Sequence, residues 1–209
     1  MLKGIDVWSG TGPIDWRRVK DSGVDFAYVR AAYGVIEDGA ALSNLEGAKA
    51  AGLVCGVYHF LRTTRSYQAQ IDLMLQQIDT LDIGPGDIPP AVDVEDNPRF
   101  DGDWSPAKSD GFLTALDRWI DAVRDKTGAC PVIYTRAAFW AELGNPAGFA
   151  ECPLWVASYR PAPPRLPQGW DRHTFWQYSE SGTVPGIAGP VDLNYFRGER
   201  QDLEAMLLK

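Results

Sequence analysis

What most limits the folds open to this chain is an alternation. Short runs rich in β-branched and aromatic residues, KGIDVW, FAYVRAAY, VCGVYHF and PPAVDVE, are separated by helical patterns, DWRRVKDSG, LEGAKAAGL and SYQAQIDLMLQQIDTL. Strands alternating with helices imply parallel β-α units. The clearest helix is 105–128, SPAKSDGFLTALDRWIDAVRDKTG, where Ser105 suits the N-cap, Pro106 the first helical position and Gly128 the stop. Phe112, Leu116, Trp119, Ile120 and Val123 then share one stripe at the 3.6-residue period and are expected to pack on the sheet.

Beyond residue 128 the strand-like runs continue as PVIYT, LWVASY, HTFWQYS and VDLNYF, but the helices shorten and Pro, Gly and Trp increase. A barrel built this way is irregular. Residues 160–173, RPAPPRLPQGWDRH, read as a surface loop. No linker or fixed-period repeat interrupts the chain, so 1–209 reads as a single domain, and 45% hydrophobic residues are enough for one sizeable core.

The formal charge of −8 is spread along the chain, which argues against nucleic acid or an anionic membrane surface as partner. No segment is long and apolar enough to insert in a bilayer, and MLKGIDVW enters a strand with no secretory leader pattern. The three cysteines, Cys55, Cys130 and Cys152, form no C-x-x-C pair. They suggest neither a disulfide framework nor a zinc site and are expected to be mostly buried thiols, with a Cys130–Cys152 bridge left open.

Against this background the segment IPPAVDVEDN, 88–97, stands out, because Asp93 and Glu95 interrupt an apolar strand. Residues i and i+2 share a face, with Cα atoms about 6.5–7 Å apart. If Val92 and Val94 face the helices, both acids face the barrel axis. Like charges at that range cannot ionise independently, and the more desolvated acid has its pKa raised, as a general acid requires. Asp96 is expected on the opposite face or in the next loop. Asp6 in GIDVW and Asp192 in PVDLNYF lie in similar apolar strands, and strand C-terminal ends of a β-α barrel converge on one mouth.

Three readings of these acids stand side by side: turn caps or partners of an arginine such as Arg30, a hard-cation site, and glycoside hydrolysis by paired carboxylates. Tyr58, Tyr134, Trp155 and Trp176, with Gln177, favour a carbohydrate cleft over a phosphate site. His59 and His173 read as structural. The chain has no G-x-S-x-G, G-x-G-x-x-G or Walker loop, so no nucleotide cofactor is implied.

In their order, GIDVW, YVRAAYG, AGLVCGVYHF, AVDVE, TGACPVIYT, LWVASY, FWQYS and GPVDLNYF resemble the family 25 glycoside hydrolases, the Ch-type lysozymes or N-acetylmuramidases, from about residue 3 to 198. The resemblance implies an α/β fold, an irregular TIM-like β/α barrel of five β-α units followed by a partly antiparallel three-strand set. It implies cleavage of the β-1,4 bond between N-acetylmuramic acid and N-acetylglucosamine in the bacterial peptidoglycan glycan strand. It places catalytic roles on Glu95, Asp93, Asp6 and Asp192, and a sugar groove on Tyr58, Tyr134, Trp155 and Gln177. Where the family often continues its first motif as D-V-S, this chain has DVWSGTGPIDW, and Tyr33 stands before Gly34 where an acid is common. Glu95 is expected to protonate the leaving oxygen and Asp93 to orient the 2-acetamido group on a net-retaining path, while the strand spacing itself straddles the carboxylate separations of retaining and inverting enzymes. The expected enzyme is a monomer without cofactor or metal. Its expected setting is a phage or prophage endolysin, made in the host cytoplasm and acting on the wall, or a secreted enzyme without its leader. A non-catalytic wall-binding module and a metal-dependent hydrolase are the rivals.

Overall fold

The structure, a computed structural model, describes residues 1–160 and 163–209. Its order begins β1 (Leu2–Val7), α1 (Trp16–Asp21), β2 (Phe26–Tyr33), β3 (Ile36–Glu37), α2 (Ala41–Ala50), β4 (Val54–Phe60) and α3 (Tyr67–Thr80). There follow β5 (Ala91–Asp93), α4 (Pro98–Asp101), α5 (Ser109–Thr127), β6 (Val132–Thr135) and α6 (Ala137–Glu142). Three strands without intervening helices, β7 (Leu154–Ala157), β8 (Phe175–Gly182) and β9 (Val191–Phe196), precede α7 (Arg200–Ala205).

The strands run β1-β9-β8-β7-β6-β5-β4-β2, and a β1–β2 pairing closes the ring, with β3 a short hairpin partner outside it. From β1 through β8 every neighbouring pair in the ring is parallel. Only β9 is reversed, antiparallel to both β8 and β1. The fold is the expected irregular TIM-like barrel, five β-α units and a helix-poor closing set, with the antiparallel character confined to its last strand.

Strand alternation divides the interior into two cores. Between strands and helices lie Val29, Val57, Val92, Val94 and Ile133 with Leu116, Trp119 and Ile120 of α5. Inside the ring, aromatic side chains fill the space: Phe26, Tyr28, Tyr58, Tyr134, Trp155, Phe175 and Phe196. Gly4 and Gly56 make room for them, since a Cβ would stand 2.3 Å from the Phe26 ring at Gly4 and 2.6 Å from Tyr28 at Gly56.

All five residues of the predicted α5 stripe are buried, and Gly128 ends the helix in the left-handed region at φ 74°. The predicted start is corrected. Pro106–Lys108 form a 3-10 turn, closed by the Lys108 N–H on the Ser105 carbonyl at 3.0 Å, and the Ser105 side chain caps nothing. The α-helix begins at Ser109. The loop expected at 160–173 carries no helix or strand over 163–173, while Pro161 and Ala162 fall outside the described residues. Cys130 and Cys152 are joined as a disulfide with Cα atoms 5.5 Å apart, which corrects the reading of both as thiols; Cys55 is free and buried. The fold brings the ends of α5 and the start of β7 together at one site, a proximity no local pattern encodes.

Candidate active site

β5 is three residues long, and its continuation is held by neighbours: the Val94 N–H donates to the Tyr134 carbonyl at 2.9 Å and the Leu61 N–H to the Asp93 carbonyl at 3.1 Å. Val92 and Val94 join the helix-side core, so Asp93 and Glu95 turn into the ring as the two-residue period requires. They open onto a cleft of about 270 Å³ to which every strand of the ring contributes. Asp6, Asp93, Glu95 and Asp192 all line it, together with Tyr58, Tyr134, Trp155 and Gln177.

On the β1/β9 side, Asp6 and Asp192 are direct partners across the antiparallel ladder. The reversal of β9 brings the start of that strand to the mouth where parallel strands bring their ends. Asp6 Oδ2 accepts from Gln177 Nε2 at 2.9 Å and from Asn194 Nδ2 at 2.7 Å. Asn194 Oδ1 in turn accepts from Trp155 Nε1 at 2.8 Å, and Gln177 Oε1 from the Tyr134 and Tyr159 hydroxyls, each at 2.8 Å. Gln177 and Trp155, read from sequence as groove residues, thus spend hydrogen bonds on holding Asp6. Trp155 is 2% exposed and stacks on Tyr28 with ring centroids 4.6 Å apart.

The β5 side is different. Asp93 is buried and its Oδ1 has no hydrogen-bond partner among the described residues. Glu95 is half-buried. Burial raises its carboxyl to about 7; the Arg136 cation works against the rise, while Asp96, Asp6 and Glu180 add to it. Burial lifts Asp93 well above the usual carboxylate range, helped by the charges of Glu95 and Asp6 and opposed by Arg30. Asp192 is pushed up to about 8 by burial and by the negative Asp6, with which it shares a hydrogen bond. Burial also raises Asp6, against the hydrogen bonds it accepts from Asn194 and Gln177. Burial thus shifts all four acids of the cleft upward from the ordinary carboxylate range.

Arg30 pairs with none of the four: its Nε meets Asp38 Oδ2 at 2.8 Å and its guanidinium lies 4.4 Å from the Trp8 ring centroid. Trp176 is corrected. It points away from the cleft, donating Nε1–H to the Ser158 carbonyl at 2.8 Å and packing beside Tyr178 and Tyr195, because Gln177 takes the inward phase of β8. His59 is structural: it is fully buried, accepts from Trp119 Nε1 on Nδ1 at 3.2 Å and so carries its proton on Nε2, 2.8 Å from the Gly34 carbonyl. Burial lowers it to about 4. His173 is half-buried beside Trp176, outside the cleft lining. Asp96 lies in the loop after β5, paired with Arg136.

Sequence reasoning missed Phe60, Tyr159, Glu180 and Asn194, and met Trp8 and Tyr33 only as departures from the family pattern. Trp8 and Tyr159, 44% and 47% exposed, flank the mouth just past the ends of β1 and β7, the place where barrel strands deliver functional side chains. Asn194 follows Asp192 by two and shares its face. No three His, Cys, Asp or Glu side chains among the described residues are grouped to hold a metal ion.

A deep acid-floored cleft at the mouth of such a barrel is where comparison with known proteins decides. The family model described as Glycosyl hydrolases family 25 matches residues 5–187. The chain belongs to glycosyl hydrolase family 25. This family 25 glycoside hydrolase is 35% identical over 214 residues to lysozyme M1 of Streptomyces globisporus, covering 98% of this chain and 71% of that one. It is 29% identical over 212 residues to an N,O-diacetylmuramidase of Arthroderma benhamiae, covering 97% and 85%. The bacterial lysozyme of Streptomyces coelicolor superposes with a TM-score of 0.87 at 33% identity, over 99% of this chain and 96% of that one. Among the described residues no helix is long and apolar enough to cross a membrane.

Proposed function

We propose that this family 25 hydrolase is a 1,4-β-N-acetylmuramidase, cutting the bond between N-acetylmuramic acid and N-acetylglucosamine in bacterial peptidoglycan. The observation that carries the reading is the pairing of two unlike acids two residues apart at the end of β5: Glu95, raised to about 7 and open to the cleft, and Asp93, buried with an oxygen that no described residue claims. Lysozyme and muramidase activity in its relatives supports the choice of substrate.

In this mechanism the Glu95 carboxyl gives its proton to the glycosidic oxygen as the C1–O bond breaks. The carbonyl oxygen of the sugar's own 2-acetamido group attacks C1, while Asp93 Oδ1 accepts the acetamido N–H and fixes that group for attack. Water then adds to C1 as the C1–O bond to the acetamido oxygen breaks and the acetamido group is restored; the water loses its proton to Glu95, and the configuration at C1 is retained. Asp6 and Asp192, joined by a hydrogen bond, set the field on the far side of the cleft. Trp8 and Tyr159 offer exposed aromatic surface for flanking sugars. The cleft is completed within one chain, which supports a monomeric enzyme, and the Cys130–Cys152 disulfide suits action outside the reducing cytoplasm, in phage lysis or after secretion.

The test is digestion of purified peptidoglycan with wild type and Glu95→Gln, borohydride reduction, and mass spectrometry of the new ends. Reduced N-acetylmuramic acid from wild type alone is the expected result. Binding to the wall with no new ends would move the assignment to a non-catalytic module, and loss of cleavage with a chelator to a metal-dependent hydrolase.

A further inference from the structure

The loop that carries Glu95 also carries a charge pair that the mechanism leaves unused. β5 and β6 are parallel with Ala91 beside Val132, Val92 beside Ile133 and Asp93 beside Tyr134. Continued two residues past the paired strands, that register would set Glu95 beside Arg136, and the two are near enough for the cation to act on the carboxyl. Both follow inward-facing residues by two, so both start toward the same side. An arginine placed there would be expected to pair with the glutamate. Instead the guanidinium forms its ion pair with Asp96, and Glu95 makes no ion pair or hydrogen bond among the described residues. Arg136 reaches Asp96 through Nη2 alone, its Nε being buried without an acceptor, which is a poor clamp for a loop. The side chains of the pair remain 42% and 20% exposed, so the guanidinium has room to swing.

We propose that Asp96 is a decoy anion: it holds the Arg136 guanidinium away from Glu95 and so keeps the general acid protonated at the pH where the enzyme works. Both are positioning residues, acting through Glu95. The inference rests on the reading of Glu95 as the acid. The other groups facing Glu95 are carboxylates and phenols, Asp93 on its own strand, Asp6, Glu180 and Asp192 from β1, β8 and β9, and the hydroxyls of Tyr134 and Tyr159. Arg30 is already committed to Asp38. Arg136 is therefore the cation best placed to discharge the acid, and its partner decides whether it does. The direction agrees with the electrostatics, in which Arg136 lowers Glu95 and Asp96 raises it.

The experiment measures kcat/KM against pH, from 4 to 9, on purified glycan strands for wild type, Asp96→Asn, Arg136→Met, the double variant and Glu95→Gln. Asp96→Asn removes an anion and frees the guanidinium for Glu95; both favour the carboxylate, and the alkaline limb moves down by about one pH unit. Arg136→Met moves it up by a similar amount. The double variant, with neither charge, returns toward wild type. A pair that only braces the loop would give lower rates at every pH with the limb unmoved and no recovery in the double variant, which overturns the proposal. Should Arg136→Met fail to fold, the near-isosteric Asp96→Asn still decides by its limb. Glu95→Gln separates the two failures. Full activity in that variant would remove Glu95 from the acid role, whereas an inactive Glu95→Gln beside unmoved limbs would remove the decoy alone.

Discussion

The two sides of the cleft carry the same functional group and treat it in opposite ways. On the β1/β9 side Asp6 Oδ2 is bound by Asn194 and Gln177, and these are bound by Trp155, Tyr134 and Tyr159, so the carboxylate sits at the end of a connected network. On the β5 side, among the described residues, Asp93 Oδ1 is buried with no partner and Glu95 makes no ion pair or hydrogen bond. A buried polar group left unsatisfied costs about 1–3 kcal/mol, a cost a fold tolerates where a ligand supplies the missing bond. On the proposed mechanism, the contrast separates acids that shape the cleft from acids that meet the substrate.

Substitutions on the two sides should therefore fail differently. The largest effect is expected from Glu95→Gln, a loss of about 10³-fold or more in kcat with unchanged circular dichroism. Asp93→Asn keeps the shape and weakens the grip on the acetamido group, for a loss of about 10²-fold in kcat with little change in KM. Asn194→Leu attacks the tied side. It leaves Asp6 short of a donor and Trp155 short of an acceptor, and should lower stability by about 2 kcal/mol in urea titrations while costing about tenfold in rate. If Asn194→Leu were as inactive as Glu95→Gln at full stability, the division between the two sides would collapse.

The smallest effect is one of pH. Because burial raises Asp192 to about 8 in the folded chain, the native state holds its proton more tightly than the unfolded state does. Its contribution to stability is fully present below the unfolded carboxylate pKa near 4 and is lost as pH rises through about 8. Asp192→Asn, which cannot ionise, should melt a few degrees higher than wild type at pH 9, with the gain shrinking toward pH 4. A gain independent of pH would mean that Asp192 is not the proton holder of its pair.

What the sequence discloses follows the range of the interactions involved. Asp93 and Glu95 are legible because the strand period of two is local and the flanking valines fix its phase. The α5 stripe is legible for the same reason at period 3.6. β8 offers no such contrast: Phe175, Trp176, Gln177 and Tyr178 put large side chains on both faces, so Trp176 and Gln177 cannot be phased without the neighbouring strands. The Asp6–Asp192 ladder depends on the reversal of β9, and the Cys130–Cys152 bridge on where two distant segments are delivered. Neither is written in any window of the chain.

The closing strand also sets a clock. Asp6 is held by groups 171 and 188 residues further along the chain, and β1 stays without one of its two neighbours until β9 arrives. At a synthesis rate of about 5–20 residues per second, the first strand waits roughly ten seconds or more for the last. A nascent or prematurely terminated chain can display Asp93 and Glu95, yet it lacks Asp192 and Asn194. Translation to the end of β9 is thus a precondition for a complete cleft, so the chain acquires its four-acid site only once its last strand has been made.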